Sequence, residues 1–137
     1  MDDDALLAAA ARWPVARLAT ATASGEIDLV PITFALEGST LVTAVDHKPK
    51  RTRKLRRLEN IAREPRVTVL IDRYDDDWAS LWWVRLRGIA IVVSEGPGFT
   101  DAIAQLVEKY PRHYSQVPPE GPVIRVDITD VRVWQSS

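Results

Sequence analysis

The residues best suited to chemistry lie in one basic run, Lys48-Pro49-Lys50-Arg51-Thr52-Arg53-Lys54. Nine of the 18 Lys and Arg residues fall between positions 48 and 66: Lys48, Lys50, Arg51, Arg53, Lys54, Arg56, Arg57, Arg63 and Arg66. Only Glu59 and Glu64 oppose them there. The formal net charge of the whole chain is −1. The concentration is therefore local, and it suits a discrete anion better than a polyanion lying along a whole face. The run sits where a helix is expected to begin. Free backbone N–H groups already make that end positive, so cations normally avoid it. An anion resolves the conflict, held jointly by the N–H groups, the Thr52 hydroxyl and the basic side chains. Phosphate is the natural candidate. The competing reading is a solvated helix face, which suits Arg53, Lys54, Arg56 and Arg57. Charge alone does not separate the two.

A second cluster is aromatic. Trp78, Trp82 and Trp83 are three of the five tryptophans and fall within six residues. Adjacent Trp82 and Trp83 face opposite sides of a strand. One can fill a core while the other meets a flat ligand or a partner chain. Arg85 shares the face of Trp83, and an arginine beside an aromatic ring fits a flat anionic cofactor. Ordinary core packing with a surface aromatic is the alternative.

Other chemistries find little support. The chain has no cysteine, which excludes disulfides, thiolate metal sites and a cysteine nucleophile. His47 and His113 lack ligand spacing. Asp75-Asp76-Asp77 is consecutive, whereas oxygen-ligand metal loops alternate. No serine triad and no glycine-rich phosphate loop is visible. Nucleic acid is not an expected partner, because the chain outside the basic run is not basic. A chain without an evident acid, base or nucleophile can still be an enzyme if a cofactor does the chemistry.

The elements that must position these groups follow from periodicity and punctuation. The 137 residues, 46% hydrophobic and 27% charged, suit one globular domain covering 1–137. Met1-Asp2-Asp3-Asp4 lacks the positive start of a signal peptide, and no apolar run reaches the ~18 residues a membrane helix needs. The cytoplasm is the expected location. A helix is expected at 2–12, stopped by Pro14, with Asp2 to Asp4 at its positive end. Strands are expected at Val15–Thr22, Ile27–Leu36 and Thr40–Val45, with turns at Ser24-Gly25 and Glu37-Gly38. Pro31 inside the second demands an edge, a bulge or a bend. A helix follows from about Arg53 to Arg63, with Thr52 as its N-cap. Then come strands at Arg66–Arg73 and Leu81–Val93, the latter bulged or bent at Gly88. A helix at Thr100–Tyr110, a polar loop after Pro111 and a strand at Val123–Trp134 complete the chain. The expected fold is mainly β: six antiparallel strands in a small barrel or sandwich, with two to three short helices.

At these residues the chain resembles a known family. Leu18-Ala19-Thr20-Ala21-Thr22-Ala23-Ser24-Gly25, Leu29-Val30-Pro31-Ile32-Thr33-Phe34, Lys48-Pro49-Lys50-Arg51 and Glu64-Pro65-Arg66-Val67 are similar to the pyridoxamine 5′-phosphate oxidase-like split-barrel superfamily. Asp46-His47-Lys48-Pro49-Lys50, Tyr74-Asp75-Asp76-Asp77-Trp78 and Leu81-Trp82-Trp83-Val84-Arg85 resemble, more narrowly, its actinobacterial branch of deazaflavin-dependent oxidoreductases. The resemblance implies a six-stranded split barrel. It implies a homodimer with cofactor sites at the subunit interface. It implies coenzyme F420 as cofactor, with FMN as the alternative, and hydride transfer to a small acceptor. By position, Lys48, Lys50, Arg51 and Thr52 would hold the cofactor phosphate. Pro31, Ile32, Thr33 and Thr43 would lie along the ring, and Trp78, Trp82 and Arg85 would come from the partner chain. Arg53, Arg56 or Arg57 would serve the acidic tail of the deazaflavin. A non-catalytic module binding a cofactor, a tetrapyrrole or nucleic acid is the third reading.

Overall fold

Two hairpins follow the first helix, and their turns fall where glycine permits a left-handed backbone. A computed structural model describes residues 1–45 and 51–136, with the side chains of 51–55 outside the description. The helices are α1 (Asp3–Ala11), α2 (Arg51–Arg63), α3 (Pro97–Lys109) and α4 (Pro111–Tyr114). The strands are β1 (Ala16–Ala21), β2 (Ile27–Ile32), β3 (Ala35–Glu37), β4 (Thr40–Ala44), β5 (Arg66–Arg73), β6 (Trp82–Val93) and β7 (Val123–Gln135). A 3-10 turn spans Trp78–Ser80. All strands form one antiparallel sheet in the order β2-β1-β5-β6-β7-β4-β3. The architecture is a curled, mainly β split barrel with short helices.

The sheet has seven strands where six were expected, because Ile27–Leu36 breaks in two. The break falls at Thr33-Phe34, and a side chain replaces the sheet as backbone partner. The Tyr110 hydroxyl accepts from the Phe34 N–H at 3.0 Å, and Lys109 Nζ donates to the Phe34 carbonyl at 2.9 Å. The Tyr110 proton lies within reach of the Pro14 carbonyl at 3.0 Å and the Phe34 carbonyl at 3.1 Å. Buried backbone groups need such partners once they leave a ladder. Pro31 sits on the edge strand β2, where its missing N–H costs no ladder bond on the solvent side.

Local chemistry sets the helix ends. Asp2 caps α1, its Oδ1 accepting from the Ala5 N–H at 2.8 Å. Asp2→Ala is expected to lower stability by about 1 kcal/mol, read as a shift in the urea midpoint without a change in slope. Helix α2 starts at Arg51, so Thr52 lies inside its first turn and does not precede it as the N-cap. Helix α3 starts at Pro97, three residues earlier than expected, because proline is preset for the first helical position. Pro111 starts α4 in the same way, where the sequence pattern read only a loop.

The core lies inside the curl. Leu18, Val69, Ile71, Val84, Leu86, Ile124 and Val126 project inward from four strands and are at most 1% exposed. Helix α1 closes one side with Leu6 and Ala10. A second cluster packs Leu106 of α3, Tyr110 between the helices and Tyr114 of α4 onto Ala35, Val42 and Ala44. None of the described helices is long and apolar enough to cross a membrane, which says nothing of strands.

Candidate cofactor site

Strands β2 and β4 are far apart in the sheet order, yet both line one cleft. The curl brings them together. The cleft has a volume of about 230 Å³ and is lined by Pro31 and Ile32 of β2, Thr33 of the break, Thr43 and Ala44 of β4, Arg57 of α2 and Tyr114 of α4. Four residues singled out from the sequence, Pro31, Ile32, Thr33 and Thr43, therefore share one concave wall. A second cleft of about 280 Å³ adjoins it through Arg57 and is lined by Thr20, Asp28, Leu29, Val30, Arg56 and Arg57.

Arg56 and Arg57 are neighbours with opposite fates. Arg56 embraces Asp28 with two bonds, Nε to Oδ2 at 2.8 Å and Nη2 to Oδ1 at 3.1 Å. Buried Asn60 anchors the same carboxylate, donating to Asp28 Oδ2 at 2.9 Å and to Thr20 Oγ1 at 3.1 Å. The Asn60 amide, and after it the Arg56 guanidinium, hold the Asp28 carboxyl below its ordinary range. Arg56 is thus engaged, which corrects the expectation that it is free to meet an acidic tail. Arg57 is half-buried, and among the described residues it makes no ion pair. Burial pulls its guanidinium below the ordinary value, but an arginine remains charged at neutral pH. A desolvated cation between two clefts favours an anionic ligand.

Lys48 and Lys50 lie outside the described residues. Arg51 and Thr52 open α2, but their side chains, like that of Arg53, lie outside the description. The tryptophans divide. Trp82 is 3% exposed and packs edge-on against Trp13 at 5.0 Å, so it has no free face for a ligand or a partner. This corrects its assignment to the site. Trp83 occupies the other face, with the Arg85 guanidinium 5.8 Å from its ring. Together with Thr68, Leu70, Asp72 and Tyr74 they line a cleft of about 380 Å³ that shares no residue with the first. The Arg85 Nε is buried there without a partner among the described residues. Trp78 is 77% exposed on its 3-10 turn. The acidic run is engaged locally: Asp75 accepts from the Asp77 N–H at 2.8 Å and from Arg73 Nε at 3.1 Å, and Asp77 accepts from the Ala79 N–H at 3.2 Å.

Sequence reasoning missed Tyr114 and undervalued Arg57. The signal for Tyr114 was present: Pro111 is a helix-starting residue, and Tyr110 and Tyr114 are four apart. The Lys109-Tyr110 pair behind the cleft adds a titrating group. Lys109 Nζ lies 3.4 Å from the Phe34 ring centroid, and burial lowers its pKa from 10.5 to about 8. Between those values the unfolded chain binds more protons than the folded one, so this group makes stability rise with pH from about 8 to 10.5. Lys109→Met is expected to flatten that rise, measured by urea unfolding at either end of the window.

The family model described as pyridoxamine 5′-phosphate oxidase matches residues 3–135. No curated protein matches the chain in sequence. Among solved structures, the conserved hypothetical protein Rv2991 of Mycobacterium tuberculosis is similar at 19% identity and a TM-score of 0.78, with 98% of this chain and 85% of that chain covered. A FAD-binding protein of Mesorhizobium loti is similar at 18% identity and a TM-score of 0.74, covering 100% and 96%. HutZ, the haem storage protein of Vibrio cholerae, is similar at 13% identity and a TM-score of 0.73, covering 97% and 84%. At such identities the likeness establishes the fold.

Proposed function

The chain belongs to the pyridoxamine 5′-phosphate oxidase family, and from that premise we propose that it is an oxidoreductase using a flavin-type cofactor, coenzyme F420 before FMN. The observation that carries this reading is Arg57, a half-buried cation without an acid partner among the described residues, set between two clefts. It fits a phosphate or an acidic tail, and the wall of Pro31, Ile32 and Ala44 fits the side of a flat ring. The FAD-binding relative supports a flavin on this fold. The haem storage relative supplies the rival, a non-catalytic carrier.

A reduced deazaflavin supplies a hydride when bound. The chain's own residues bind and orient. Arg57 offers charge-assisted donors to an anion, with Lys48, Lys50, Arg51 and Thr52 proposed for the cofactor phosphate. Ile32, Thr43 and Ala44, all buried, exclude water from one side of the cleft.

The proposal includes a homodimer. Ile27 and Leu29 are 65% and 63% exposed on the edge strand, opposite Ala21 and Ala19 of β1. That face continues across Thr68 to Arg87. An apolar edge of this kind favours a partner surface, and a second copy would bring Trp83 and Arg85 toward the site.

The test is titration of the purified protein with F420, FMN and haemin. Quenching of F420 fluorescence by a dimer in light scattering is expected. Tight FMN binding with no F420 response would move the reading to FMN. Haemin binding alone would replace it with storage, and a monomer would remove the interface site.

A further inference from the structure

Two hydroxyls meet in the first cleft. Thr33 Oγ1 and Tyr114 Oη lie 3.1 Å apart, and both residues line the cavity with Pro31, Ile32, Thr43, Ala44 and Arg57. Among the described residues neither makes another hydrogen bond. One hydroxyl therefore donates to the other. One O–H remains uncommitted, and so do acceptor lone pairs on both oxygens. The pair offers a donor beside an acceptor, and either oxygen can take either part.

Its position is set before any ligand arrives. Tyr114 is 9% exposed and its ring meets Tyr110 edge-on at 6.0 Å. The Tyr114 N–H donates to the Tyr110 carbonyl at 3.0 Å. Tyr110 in turn grips the Phe34 backbone next to Thr33. Both hydroxyls thus hang from one locked corner, and little rotamer entropy remains to be lost on binding.

We propose that Thr33 and Tyr114 act together to read an imide edge, a carbonyl adjacent to an N–H, on the ring of the ligand. The inference rests on the flavin-type reading above and deepens it. Flavin and deazaflavin rings share that edge, with the ring N3–H between two carbonyls. A porphyrin has none. The uncommitted O–H meets a ring carbonyl, and the neighbouring oxygen accepts the N–H. Satisfying both groups fixes which way round the ring lies, and a ligand lacking the N–H leaves a polar atom unpaired in the cleft. Tyr114 is thereby a specificity residue contributed by α4.

The experiment compares FMN with 3-methyl-FMN, which keeps the phosphate and the ring but loses the N–H. Binding is read by fluorescence quenching of the purified protein. The wild type is expected to prefer FMN by roughly tenfold, the effect of one buried hydrogen bond. Tyr114→Phe and Thr33→Val are each expected to reduce that preference toward unity, with thermal unfolding showing that both variants fold. Equal affinity of the wild type for the two flavins overturns the inference. So does retention of the full preference for FMN in both variants. A wild type that binds neither flavin nor F420 overturns the flavin-type reading itself, whereas binding without discrimination overturns only the imide reader.

Discussion

Arg57→Ala is expected to weaken binding of a phosphorylated flavin on the order of 50-fold, the size of a lost charge-assisted contact. Arg56→Ala, one residue away, is expected to change it by less than about threefold, since that side chain holds a solvent-exposed ion pair. The contrast is the informative part. Two arginines share a helix and a sequence environment, and bulk charge would treat them alike. The Asp28 carboxylate, held by Asn60, which also donates to Thr20 Oγ1, neutralises Arg56. Arg57 points between the two clefts, partly stripped of water and with no acid against it among the described residues. Arg57→Lys should recover part of the affinity, because a point charge remains while the planar fork is lost. Higher ionic strength should weaken the wild type more than Arg57→Ala. Titrations with FMN and with F420 read both effects. Equal losses in Arg56→Ala and Arg57→Ala would show that only diffuse charge matters.

How far the sequence disclosed this arrangement depends on the range of the interaction concerned. Local signals were readable: the acids before α1, the turn glycines, the alternation of Val67, Val69 and Ile71, and the proline in β2. Opposite faces for Trp82 and Trp83 follow from the pleat alone, but which one faces the core depends on the register with β5 and β7. Without that register, the family resemblance places Trp82 at the site from the partner chain, whereas its side chain packs in the core on Trp13. The break at Thr33-Phe34 was hidden for a related reason. Its backbone partner, Tyr110, is 76 positions away, and nothing in Ile32-Thr33-Phe34-Ala35 itself stops a strand. Pro31, Ile32, Thr33 and Thr43 could be placed beside one another only through the family resemblance. The cleft that unites them is made by curling the sheet until β2 faces β4. The division of labour between Arg56 and Arg57 depends on Asp28, an acid in another element. Identical charges in sequence become different groups only when a long-range partner selects one.

Gly88→Ala is expected to cost about 3 kcal/mol, at the upper end of overpacking, and to lower the melting temperature by roughly 10 °C. A β-carbon at Gly88 would overlap the Asp127 carbonyl oxygen and come within 2.7 Å of Val126 Cγ1. The obstacle is backbone, and it is pinned from two sides. Asp127 pairs with Ile89 of β6 and with Thr40 of β4, so β7 cannot retreat without breaking a ladder. The register slips between Arg87 and Gly88: Arg87 faces Asp130, Gly88 faces Ile128, and Thr129 is the extra residue. Such a bulge bends the strand and strengthens its twist, which is the deformation a curled sheet needs. The same strand carries β4 in register, Thr43 opposite Ile124. A displaced β7 therefore moves the Thr43-Ala44 wall relative to Ile32, and FMN affinity should fall together with stability. Gly38→Ala is the control. Its backbone is left-handed at φ 59°, but nothing lies within 4 Å of the added carbon. It should cost about 1 kcal/mol and leave affinity unchanged. Calorimetry with FMN titration of both variants checks the pair. A loss no larger than that of Gly38→Ala would show that β7 yields to the added carbon and that its closeness to Gly88 is not a constraint.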